Sequence, residues 1–393
     1  MRTDMLVDIT YLASGSVSPT LASSSGSNSP SPVASDSSSL AVESRQADFW
    51  FKDGNVILLA GSIAFKVHRG ILERHSDVFH DLLSIPQPPD EVMFEECHII
   101  ELHDEPTDLW YLLKALYDGM YLKQLCASDF RNITAVLRLS TKYFIEHLRE
   151  RCVNRLMIDW PCTLNCWDSR EIEATDPFGR YSPRARFAHP ILVINFAREM
   201  GITNLLPCAF YDLCRYGPSK IVAGVLKSQS DGPIKGNAGI TNSEAVPVHL
   251  SLDDLRIALL GRERAQRVVA AFIEDELSNR EPADDCHNRE RDGGRICRES
   301  FYFIMLNLLR SIGGLANGRD CDPLFSLTQA SEMMSRTDFS DGTQFCSLKI
   351  CAACKMDFSQ SVKAARERVW MQIPSWFGME DFNGMPFSGM LAS

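Results

Sequence analysis

The sequence lacks a sustained basic run: 40 Lys and Arg stand against 51 Asp and Glu, giving a formal net charge of -11. Phosphate backbones are held by clustered cations, so direct nucleic-acid binding is disfavoured. The Cys-x2-4-Cys-x12-His-x3-5-His finger pattern is missing too, which argues against base readout. No uninterrupted apolar run reaches membrane-spanning length, and the opening Met1-Arg2-Thr3-Asp4-Met5-Leu6-Val7-Asp8 has no apolar stretch of the secretory kind. There is no G-x-S-x-G elbow, no G-x-x-x-x-G-K-[ST] loop, no G-x-G-x-x-G after a strand and no H-E-x-x-H. Acidic pairs such as Glu95-Glu96 and Asp284-Asp285 fall in expected loops and read as solvated. Nothing in these patterns supports an enzyme.

What is present is ordinary globular composition. With 45% hydrophobic and 23% charged residues over a length of 393, the chain can bury two or three cores. Its thirteen cysteines, in so large a core-forming chain, read as reduced thiols and not as a disulfide framework. Most are expected to be buried small hydrophobes, and the expected compartment is cytoplasm or nucleus.

The chain is organised around Phe49 to Gly119. Asp53-Gly54-Asn55 is turn chemistry before the apolar run Val56 to Leu59, and Ala60-Gly61-Ser62 precedes Phe65-Lys66-Val67-His68, so a two-stranded hairpin is expected. From Arg69 the period changes. Ile71, Leu72, His75, Val78, Phe79, Leu82 and Leu83 fall three and four apart, a helical stripe that ends at Pro86-Gln87-Pro88-Pro89. A strand-like segment, His98 to Leu102, follows. Asp104-Glu105-Pro106-Thr107-Asp108 then starts a helix with Leu109, Leu112, Leu113, Leu116 and Tyr117 on one face.

These motifs, in this order and spacing, resemble a BTB/POZ domain. The resemblance rests on Asp53-Gly54-Asn55-Val56, Phe65-x-Val67-His68-Arg69-x-x-Leu72, Ser76-x-x-Phe79-x-x-Leu82-Leu83 and the acidic start of the Leu109 helix. Tyr117-Asp118-Gly119 and the proline-rich segment make it particularly similar to the short BTB proteins of mushroom-forming fungi. The expected fold class is α+β: a small sheet covered by helices over residues 46–158, then an all-helical carboxy-terminal region over 190–393. In such domains the histidine matching His68 packs and hydrogen-bonds at the strand-to-helix corner, which favours a structural role over that of a base.

Elsewhere the chain is read from its own residues. Residues 14–39 are about half serine and cannot offset the entropy of ordering, so 1–45 is expected to be a disordered tail. Ser18-Pro19, Ser29-Pro30 and Ser31-Pro32 suit proline-directed kinases and equally suit any such tail. Phe130 to Leu156 carries a helical period with one slip near Ser140, fitting two helices joined near Thr141-Lys142. Pro161, Pro177, Gly179 and Pro183 break the texture of 159–189, read as a linker or large loop. Helices are expected from Pro190 to Gly201, from Leu205 to Tyr216, from Ser251 to Leu277 with Gly261 as a break point, and over Phe301 to Ile312 and Pro323 to Met334. Val369-Trp370-Met371-Gln372-Ile373-Pro374-Ser375-Trp376-Phe377 reads either as a lid on the helical region or as an exposed anchor.

One constellation has metal-ligand spacing. Cys351-Ala352-Ala353-Cys354 lets two thiolates meet one zinc ion, and Cys286 with Cys297 supplies two more ligands for a closed structural site; His287 is the substitute ligand. Ordinary packed thiols are the competing reading. A redox role is disfavoured because no strand-to-helix context precedes the pair.

The resemblance implies a non-enzymatic interaction module that forms homodimers, recruits a cullin-type ubiquitin ligase scaffold, or both. The dimer surface would draw on Ile71, Leu72, Val78, Phe79, Leu82 and Leu83, most of which must also serve the core. Cullin recruitment would use the helix carrying Leu109, Trp110 and Tyr111, with Trp110 standing off its apolar stripe. The alternative is a transcriptional regulator acting through recruited partners. No membrane or direct nucleic-acid partner is expected.

Overall fold

The turn at Asp53-Gly54-Asn55 opens a hairpin in the computed structural model, which describes residues 44–85, 93–120, 127–226, 247–312, 321–337, 339–340 and 345–380. The serine-rich stretch 14–39 and the proline cluster Pro86 to Pro89 lie outside these residues. Contacts divide the chain into two units, residues 1–119 with 138–147, and residues 120–137 with 148–393.

The first unit is built on a five-stranded sheet. Strands β1 (Ser44–Trp50), β2 (Val56–Ala60) and β3 (Ile63–Val67) precede helices α1 (Arg69–His75) and α2 (Asp77–Ser84); β4 (Met93–Phe94), β5 (Cys97–Leu102) and α3 (Pro106–Tyr117) follow. The spatial order is β1-β3-β2-β5-β4. All of β2 is buried, as a continuous apolar run in a central strand requires, and β3 is buried too, with its Lys66 ammonium donating to Glu95 at 3.2 Å. They pair antiparallel from Val56 opposite Val67 to Ala60 opposite Ile63, while β5 joins β2 in parallel. Gly54 is needed because a Cβ there would lie 2.9 Å from Lys66 Cγ and 3.1 Å from the Lys66 backbone.

The helical stripe from Ile71 to Leu83 is two helices. Ser76 breaks it in an extended conformation (φ -145°), caps α2 by accepting the Phe79 N–H at 3.0 Å, and donates its hydroxyl to the Tyr143 carbonyl at 2.6 Å. Tyr143 in turn stacks on Phe79 with ring centroids 4.3 Å apart and bonds Asp104 through its hydroxyl. At the strand-to-helix corner the His68 N–H donates to the Tyr117 hydroxyl at 2.9 Å, and Nε2 faces Asp53 at 3.2 Å. Helices α4 (Asp129–Lys142) and α5 (Glu146–Asp159) are joined where the sequence slip predicts, through Phe144 in the left-handed region (φ 50°).

In the second unit, residues 159–189 differ from the expected linker or large loop. Thr163 caps helix α6 (Leu164–Glu173) by accepting the Cys166 N–H, and Trp167 and Arg170 on that helix are buried. Pro161 lies just before the helix. Pro177 and Gly179 fall in the turn between Thr175 and Tyr181, and Pro183 opens the short α7 (Pro183–Arg186). The breakers thus punctuate folded chain. Helices α8 (Pro190–Met200), α9 (Leu206–Cys214) and α10 (Pro218–Ala223) come next. A ladder of β6 (Val225–Leu226) with β7 (Pro247–Val248), then α11 (Leu252–Glu276), α12 (Arg289–Asp292), α13 (Arg295–Ile312) and α14 (Pro323–Met333) lead to a ladder of β8 (Phe339–Ser340) with β9 (Phe345–Cys346) and to α15 (Ala352–Trp376). The region is mostly helical, with these two short ladders as exceptions to the all-helical expectation.

A buried ionic network ties its centre together. Asp212 bonds Arg170 at 2.9 Å and also Arg184 and Arg215, and Arg215 reaches Asp322 at 3.1 Å. Tyr211 donates to Asp322 at 2.8 Å, and Asp322 caps α14 by accepting the Phe325 N–H at 3.1 Å. Burial alone would raise the Asp212 pKa, but the guanidiniums of Arg184, Arg170 and Arg215 hold it well below the usual carboxylate range. Among the described residues no helix is long and apolar enough to cross a membrane.

Candidate functional site

Helix α2 carries two apolar stripes. The inner one, Phe79 and Leu83, is buried with Leu72 of α1, so these three serve the interior and are not available to a partner. The outer one has Val78 and Leu82 half-buried, and Ile85, just past the helix end, is 46% exposed. Spacings of four and three put these three residues on one side of the helix, with Asp77, His80, Asp81 and Ser84 exposed around them. Ile71 of α1 is half-buried as well. Phe144, 68% exposed in its left-handed turn, is a large apolar side chain that periodicity could not single out.

Helix α3 corrects an expectation. Leu109 is fully buried and Trp110 only 8% exposed. The Trp110 indole donates to Asp48 at 3.1 Å, meets Phe49 edge-on at 5.8 Å and takes the Lys114 ammonium on its face. Local pattern offers no partner for Trp110, because Asp48 lies 62 residues away on β1. Tyr111 alone of the three is half-exposed.

The four candidate metal ligands come together in the helical unit. The sulfurs of Cys286, Cys297, Cys351 and Cys354 all lie within 4.8 Å of one another. Cys286 sits in the turn before α12, Cys297 in the first turn of α13, Cys351 at the N-cap of α15 and Cys354 in its first turn. Cys297 accepts from the Asn288 amide at 3.2 Å and from the Cys351 N–H at 3.4 Å, and Cys351 accepts from the Cys354 N–H at 3.5 Å. Burial acts to raise the Cys351 thiol, but the backbone donors of Cys354 and His287 outweigh it and bring it down to about 6. Burial pushes Cys297 and Cys354 up. His287, the expected substitute ligand, is exposed and is not one of the four.

Residues 49–157 match the BTB/POZ domain. A comparison of the chain with curated proteins returned no match. The BTB domain is a protein-interaction domain, and its match covers the last two residues of β1, all of β2 to β5, α1 to α4 and nearly all of α5. The aromatic tail beyond it is turned inward: Trp376 and Phe377 are buried, Phe377 stacks on Phe210 at 5.2 Å, and the Trp370 indole donates to the Cys162 carbonyl at 3.2 Å. That arrangement fits the lid reading of residues 369–377.

Proposed function

We propose that this chain is a non-enzymatic interaction protein that assembles as a homodimer through its BTB domain. The observation that carries the reading is the outer stripe of α2. Val78, Leu82 and Ile85 stay accessible while the inner stripe fills the core. An accessible apolar patch of this kind suits a two-fold contact, in which the same surface is buried on both chains. Homodimerisation is also a common property of BTB domains. A stable dimer needs about 1,000 Å² or more of buried surface, so neighbouring residues such as Ile71 would have to contribute. A cullin-type ubiquitin ligase scaffold is the further partner class, by way of Tyr111 on α3; Leu109 and Trp110 belong to the interior and not to that surface.

Size-exclusion chromatography with light scattering on the full chain tests the reading. The expected particle has twice the 44.1 kDa chain mass, and Val78→Asp with Leu82→Asp converts it to a monomer with an unchanged circular-dichroism spectrum. A monomeric wild type, or a double variant that remains dimeric, would refute assembly through α2.

A further inference from the structure

We propose that Cys286, Cys297, Cys351 and Cys354 bind a single structural zinc ion, which clamps the chain between α11 and α13 to the start of α15. Four sulfurs at about 2.3 Å from a tetrahedral zinc lie about 3.8 Å from one another. Cys286 and Cys297 are 3.7 Å apart, and Cys286 and Cys351 are 3.8 Å apart. A disulfide would bring one pair to about 2.05 Å and leave the other two sulfurs out. Here Cys286 has two sulfur neighbours at the edge length of a tetrahedron, and all four sulfurs fall in one cluster.

The surroundings also suit a metal thiolate. Sulfur bound to zinc is deprotonated and carries excess charge that N–H donors offset. The amides of Asn288, Cys351 and Cys354 are aimed at two of the sulfurs. Cys297, Cys351 and Cys354 sit at the amino-terminal ends of α13 and α15, where the helix dipole favours negative charge. An all-sulfur set selects a soft or borderline cation and disfavours calcium and magnesium, which take oxygen ligands. With all four positions filled by protein, no site is left for water or substrate, so the ion holds structure and does no chemistry.

The clamp crosses the chain between residues 286 and 354. From Leu277 to Asn288, before the short α12, the backbone forms turns around Pro282, whose ring lies close to Gly294 beside the Cys286 sulfur. The four ligands fasten this turn-rich stretch to α15, whose far end carries Trp376 and Phe377.

Elemental analysis of the full chain, purified without added metal, is expected to give one zinc per chain. Cys297→Ser and Cys354→Ser lose the zinc, whereas Cys166→Ser, at an exposed cysteine outside the cluster, keeps it. Cobalt exchange into the wild-type chain tests the ligand set without relying on a variant that folds. The expected outcome is intense sulfur-to-cobalt charge transfer together with the visible bands of a tetrahedral ion. Iron at stoichiometry, a metal-free chain that shows no thiolate-to-cobalt absorption, or a disulfide among the four cysteines by mass spectrometry would each overturn the assignment.

Discussion

Replacing Gly261 by alanine sets two effects of known size against each other. In the interior of a helix the change is worth about 1 kcal/mol in favour of folding, since alanine loses less backbone freedom. At this position in α11, however, a Cβ would lie 1.9 Å from Cε1 and 2.4 Å from Cδ1 of Phe377. Ordinary carbon contacts are about 3.5–4.0 Å, so the ring would have to move by more than an ångström. It has little room to do so, being 2% exposed and stacked on Phe210. Overpacking of this kind costs about 1–3 kcal/mol, and full expulsion of a phenylalanine approaches the roughly 3–5 kcal/mol of a Phe→Ala change. Packing wins, and Gly261→Ala is expected to destabilise the protein by about 1–3 kcal/mol. In a Phe377→Ala background the obstruction is gone, and the same substitution should stabilise by up to about 1 kcal/mol. Urea denaturation of the four chains of this cycle reads the coupling directly. If Gly261→Ala is neutral in the wild type, or equally harmful in both backgrounds, the account of Phe377 packing against the α11 backbone is wrong.

Two other sites in the helical unit give sharp expectations. Asp212→Ala leaves Arg170, Arg184 and Arg215 without their shared carboxylate and should cost about 3–5 kcal/mol; a thermal-melt difference worth less than about 1 kcal/mol would mean that the cations rehydrate freely. His189 caps α8 by accepting the Ile191 N–H on Nδ1, which requires a neutral ring. Burial, aided by the Arg184 cation and opposed by Asp212, lowers its pKa to about 4. The unfolded ring titrates near 6.5, so this stabilisation is complete above that pH and drains away as the pH falls toward 4, by on the order of 3 kcal/mol. His189→Asn keeps a capping acceptor but cannot titrate, so its denaturation midpoint should vary less between pH 7.5 and pH 4.5 than that of the wild type. Equal slopes for the two proteins would remove His189 as the cause.

Much of this was readable from local pattern. Helix starts and stops announced by Pro190, Gly201 and Ser251 lie where the chain puts them, because capping depends on a few adjacent residues. The Cys351 and Cys354 pairing is legible for the same reason, and Cys286 and Cys297 flank a turn that local pattern also marks. Harder to read were features decided by partners far along the chain. Gly261 looked like a helix break, but α11 runs straight through it and the glycine makes room for a ring 116 positions away. Trp110 looked spare because Asp48 and Phe49 were out of local view. The prolines of 159–189 suggested open chain, yet α6 is held by the reach of Arg170 to Asp212 and to the faces of Trp160 and Phe187. On α2 the helical period grouped Val78 and Leu82 with Phe79 and Leu83, and only burial separates the outer stripe from the inner.

Ser76 links two distant parts of the BTB domain. Its oxygen starts α2 locally, yet its proton goes to a carbonyl 67 residues downstream. The cap itself is local, but the hydroxyl that makes it has both of its hydrogen bonds only when the chain around Tyr143 is in place. Closing so long a loop costs chain entropy, and proteins rich in such contacts fold slowly. The break between α1 and α2 thus fastens the start of the helix that displays the outer apolar stripe to the chain at Tyr143, so a change at the turn that follows α4 would be felt at the stripe.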